Sequence, residues 1–157
     1  MLIDNSLLFD TNSAITTTRD STNIVDLLNA RDIGDGEIIE LIVQCGTTAL
    51  TSTATTTTIT AQCMVSTDNS TYTTAAKSDA IQIGLLTTGA MILNIHMPMR
   101  RLVDAVAGTG NDQYPRYIKL NYVASATLSA GTLTAWLGGS RQTNPAAGYP
   151  SGFTVAN

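Results

Sequence analysis

The chain carries one histidine, two cysteines and twelve carboxylates in 157 residues, and these narrow the chemistry it can do. His96 would have to serve any histidine-dependent reaction. It lies in Asn94-Ile-His-Met-Pro98, with no acid within four positions on either side. A Ser-His-Asp set is recognised by geometry rather than by order, and serines are too frequent here for one to be singled out. One histidine and two well-separated cysteines fit no familiar zinc spacing. Cys45 and Cys63 fall at inward positions of predicted strands. Small core hydrophobes with reduced thiols are the expectation, with a disulfide as the alternative.

The stretch Asp32-Ile-Gly-Asp-Gly-Glu37 sets carboxylates near glycines, a pattern that can hold a hard cation. It lacks the EF-hand spacing and reads first as a glycine-bearing turn into the next strand. The acids offer no particular facing pair for glycosidase work. Gly34, Gly36, Gly138 and Gly139 match neither nucleotide fingerprint. Trp136 alternates to the outward face of its strand, where an exposed indole serves as a sugar platform or, more commonly, as an interface residue. The residues therefore predict no catalytic residue, no cofactor site and no metal site, and the expectation is that the chain is not an enzyme.

The elements that would position these groups are strands. Hydrophobic residues make up 43% of the chain and charged residues 13%, about half the ~25% of ordinary soluble domains. Threonine fills much of the gap, most densely over Thr47–Thr60. Its β-branched side chain fits a pleated sheet, and a surface of hydroxyls is cheaper to cover than one of charges.

Period-2 alternation predicts strands over Glu37–Cys45, Thr57–Ser66, Ile81–Leu86, Met91–Met97, Arg116–Ala124 and Thr132–Leu137, with a shorter one at Ser21–Leu27. The first two could pair with each other, and the last two read as a hairpin around Leu128–Gly131. Gly108–Pro115 reads as a loop, and Arg100–Ala107 is the one segment that could be helical. Residues 1–20 are hydrophobic without sustained alternation and read as an extended N-terminal arm. Residues 21–138 form the β domain, and 139–157 an irregular tail. Six to eight strands in one domain predict an all-β fold, a jelly-roll-like antiparallel β-sandwich with an extended arm.

Charge is unevenly spread. Residues 1–76 hold nine carboxylates against Arg19 and Arg31, whereas residues 77–157 hold six bases against three acids. This allows a head-to-tail charge match between neighbouring subunits. Beyond Arg100-Arg101 no basic cluster exists to track phosphates, so direct nucleic-acid binding is not expected. The acidic start MLIDNSLLFD has no signal-peptide character, and no apolar run reaches the length of a membrane span. Synthesis in the cytoplasm, with no membrane association, is the expectation.

Several segments carry a family resemblance. Ser21-Thr-Asn-Ile-Val-Asp-Leu27, followed by Ala30-Arg-Asp-Ile-Gly-Asp-Gly-Glu37, resembles the N-terminal part of phage capsid cement (decoration) proteins of the Bordetella-phage type. Ala14-Ile-Thr16 before it resembles them too. So do the threonine-rich strand with Thr67 after it, and Arg116-Tyr-Ile-Lys-Leu-Asn-Tyr122 with its following Gly131 turn. Together these cover most of residues 2–137 in the family's order; 138–157 carry no resemblance.

The resemblance implies a jelly-roll subunit that binds the outside of a shell of phage major capsid protein as a symmetric homo-oligomer; closed symmetry favours a dimer, with a trimer as the alternative. It implies a place on the outer surface of the virion, after synthesis in the host cytoplasm, and no catalytic residues. The contact area expected for capsid or oligomer is the arm, through Leu2, Ile3, Leu7, Leu8 and Phe9, together with Trp136. The alternative is a carbohydrate-binding β-sandwich of a phage fibre or surface protein, which clustered surface aromatics would favour. A small hydrolase built around His96 is the remote third reading.

Overall fold

A computed structural model describes residues 5–28, 39–96 and 115–138. Ten strands form two antiparallel sheets packed as a β-sandwich: β1 (Leu8–Ala14), β2 (Arg19–Asp20), β3 (Val25–Asp26), β4 (Glu40–Cys45), β5 (Thr58–Ser66), β6 (Thr73–Lys77), β7 (Ile81–Gln82), β8 (Met91–His96), β9 (Tyr117–Ala124) and β10 (Thr132–Gly138). One sheet has the order β1-β10-β4-β8. The other runs β2-β9-β5-β6, with β3 also paired to β9 and β7 to β5.

Alternation explains how the core is filled. Ile59, Ala61, Cys63 and Val65 on β5, with Ile118, Leu120 and Tyr122 on β9, turn inward from the six-stranded sheet. Leu41, Val43 and Cys45 on β4 meet them from the four-stranded sheet, with Leu133, Ala135 and Leu137 on β10. The inward and outward sets are those that the period-2 pattern predicts.

Neighbour relations differ from the sequence expectation. β4 and β5 lie in different sheets, and so do β9 and β10. The expected long pair and final hairpin are instead strands of opposite sheets. The connection from Ala124 to Thr132 contains seven residues, more than the two to five usual in a hairpin. It carries Leu128 into the core as it crosses.

The N-terminal arm is also corrected. From Leu8 to Ala14 it is an edge strand hydrogen-bonded to β10, and Phe9 and Ile15 are wholly buried. Two register shifts, between Leu8 and Asp10 and between Asp10 and Ser13, interrupt the pairing. Such bulges break alternation, so this strand left no periodic signature. Within the second shift Asn12 adopts a φ of 47°. Its side-chain Oδ1 accepts from the Thr47 N–H at 2.9 Å, and its own N–H donates to Thr134 Oγ1 at 3.1 Å.

Two further differences have local causes. The strand expected over Ile81–Leu86 ends at Gln82, where Ile83–Leu85 turn into a short 3-10 helix. The edge strand Thr73–Lys77 lacks large apolar residues and so gave no pattern to read. The cation reading of Asp32–Glu37, the helix at Arg100–Ala107, the tail 139–157, and Leu2 and Ile3 lie outside the described residues.

Candidate functional site

Of the residues expected to make contacts, the structure removes two from the surface. Phe9 is a core residue. Trp136 is only 4% exposed, although alternation places it on the side of β10 away from Leu133, Ala135 and Leu137. Beside it in register stands Ile42 on β4, also fully buried, and Leu8 on β1, half-buried. Among the described residues the indole Nε1–H of Trp136 finds no hydrogen-bond partner. Leu7 packs partly buried against the core. The expectation of an exposed tryptophan fails because the back of the four-stranded sheet is closed around Ile42 and Trp136.

His96 ends β8, and the sheet register sets it opposite Glu40, a buried residue of β4. Sequence distance concealed that neighbour. Cys45 and Cys63 are free thiols in the core, one in each sheet. Burial pushes the Cys45 thiol up to about 11 and the Cys63 thiol up to about 12, which keeps both protonated and unreactive at neutral pH. Among the described residues no three metal-ligating side chains gather at one point, and no helix is long and apolar enough to cross a membrane.

A buried polar cluster that the sequence did not announce joins the two sheets. The Asp10 carboxylate accepts from Tyr122 Oη at 2.7 Å, Thr22 Oγ1 at 2.6 Å, the Thr22 N–H at 3.2 Å and Arg19 Nη2 at 3.1 Å. The Arg19 guanidinium also lies 5.3 Å from the centre of the Tyr122 ring. Burial first, then the Asp10 charge, drives the Tyr122 hydroxyl far above its ordinary range. Every donor is matched, so the cluster reads as an inter-sheet tie rather than a reactive centre.

The open surface is the outer face of the six-stranded sheet. Its middle is formed by Thr58, Thr60, Gln62 and Met64 of β5 beside Tyr117, Lys119, Asn121 and Val123 of β9, all half-buried. Its charges are matched in place. Lys119 Nζ donates to Asp20 at 2.7 Å, and Asn121 Nδ2 donates to the other oxygen of that carboxylate at 2.7 Å. Arg116 grips Asp26 with two bonds of 2.8 Å.

Each cation also covers a ring. Lys119 Nζ sits 4.1 Å from the centre of Tyr72, and the Arg116 guanidinium 4.8 Å from that of Tyr117. Partial burial pushes Asp20 upward, but its hydrogen bonds from Lys119 and Asn121 outweigh this and leave it below the usual carboxylate range. The Arg116 hydrogen bonds hold Asp26 low. At the nearby β5–β6 turn, the N–H groups of Thr71 and Ser70 hold Asp68 far below that range.

Among the described residues this is a tyrosine-bearing sheet face whose cations are paired in place. A family model, Bbp16, matches residues 9–137. No curated protein matches the chain.

Proposed function

The chain belongs to the Bbp16 family, a family of Bordetella-phage proteins, and from that premise we propose that it is a structural virion protein that cements a phage capsid. In this reading it binds the outside of the shell, links neighbouring major capsid protein subunits, and does so as a homo-oligomer without catalysing a reaction. The observation that carries the reading is the family match, which spans both sheets of the sandwich.

The strand order supports it. If β2 with β3 and β6 with β7 each count as one interrupted strand, the sheets become β1-β10-β4-β8 and β2/β3-β9-β5-β6/β7. Apart from the step from β5 to β6, the chain then changes sheet at every connection. That nesting of eight strands supports a jelly-roll reading of the sandwich, an architecture common in viral shells. A protein that binds the assembled shell and not separated capsomers stabilises the shell by linkage. An oligomer touching several subunits gains further, because its second contact is intramolecular.

Tyr72 and Tyr117 are the observation that favours the carbohydrate-binding alternative. Each ring, however, already has a cation over its face, where a sugar would stack. Sedimentation of the full chain with shells assembled from the major capsid protein, and separately with unassembled capsomers, tests the proposal. Binding to shells and not to capsomers is expected. Absence of shell binding, or equal affinity for both forms, overturns it.

A further inference from the structure

We draw no further inference here: the strongest candidate, the buried Ile42–Trp136 patch on the outer face of the four-stranded sheet, carries none because nothing among the described residues shows what covers it.

Discussion

Asp10 shows what a single residue does here. Its carboxylate has no exposed surface and takes hydrogen bonds from two residues of the N-terminal segment and one of β9, so it ties β1 to the opposite sheet. Asp10→Ala leaves the Tyr122 hydroxyl buried without its acceptor and Arg19 without its counter-charge. A loss of roughly 2–4 kcal/mol follows from such a broken buried network, to be read from urea denaturation. Truncation of residues 1–10 should for the same reason cost folding itself. An arm that served only attachment would leave the denaturation midpoint unchanged.

The thiols give a second residue-scale expectation. Cys45 and Cys63, both buried with raised pKa values, should resist Ellman's reagent at neutral pH in the native protein and react fully in denaturant. Fast native labelling would contradict their core placement.

Gly131 sets a corresponding limit at the scale of the element. It has a φ of 149°, and a Cβ built there would lie 2.4 Å from Leu50 Cδ2 and 3.0 Å from Leu50 Cα. Gly131→Ala should destabilise by about 1–3 kcal/mol, visible as a lowered melting temperature, because the crossing from β9 to β10 would have to move off Leu50. Elements also show what could be read from the sequence. The faces of β4, β5, β9 and β10 follow from alternation of residues such as Ile118, Leu120 and Tyr122, because burial on one side imposes period 2.

The partners of those strands could not be read that way, since alternation says which side a strand buries and nothing about which strand lies beside it. β1 escaped notice because its bulges break the pattern, and Thr73–Lys77 because it has little to bury. Trp136 departs from the expectation for a related reason: alternation turns it away from the core, but cannot tell that it is buried on this side of the sheet too. The Asp10 tie depends on residues far apart in sequence, which leaves no local signature.

For the whole molecule, charge sets the response to pH and salt. Asp20, Asp26 and Asp68 have folded-state pKa values below those of the unfolded chain. Their contribution to stability is therefore fully present above the ordinary carboxylate range near 4 and is lost as pH falls through the folded values. Melting temperature should drop on acidification below about pH 4, and Asp26→Asn should reduce the slope. Raised salt should change shell affinity little, because the cations of the open face are already paired. A steep salt dependence would contradict a neutral interface.

The central claim is that the chain cements a shell, and the most direct measurement is the stability of the shell itself. Assembled capsids would be heated with increasing concentrations of the full-length protein while disassembly is followed by light scattering. Linkage predicts a disassembly temperature that climbs with protein concentration beyond saturation, since only the intact shell binds. A disassembly temperature that stays constant while the protein is demonstrably bound would contradict the account.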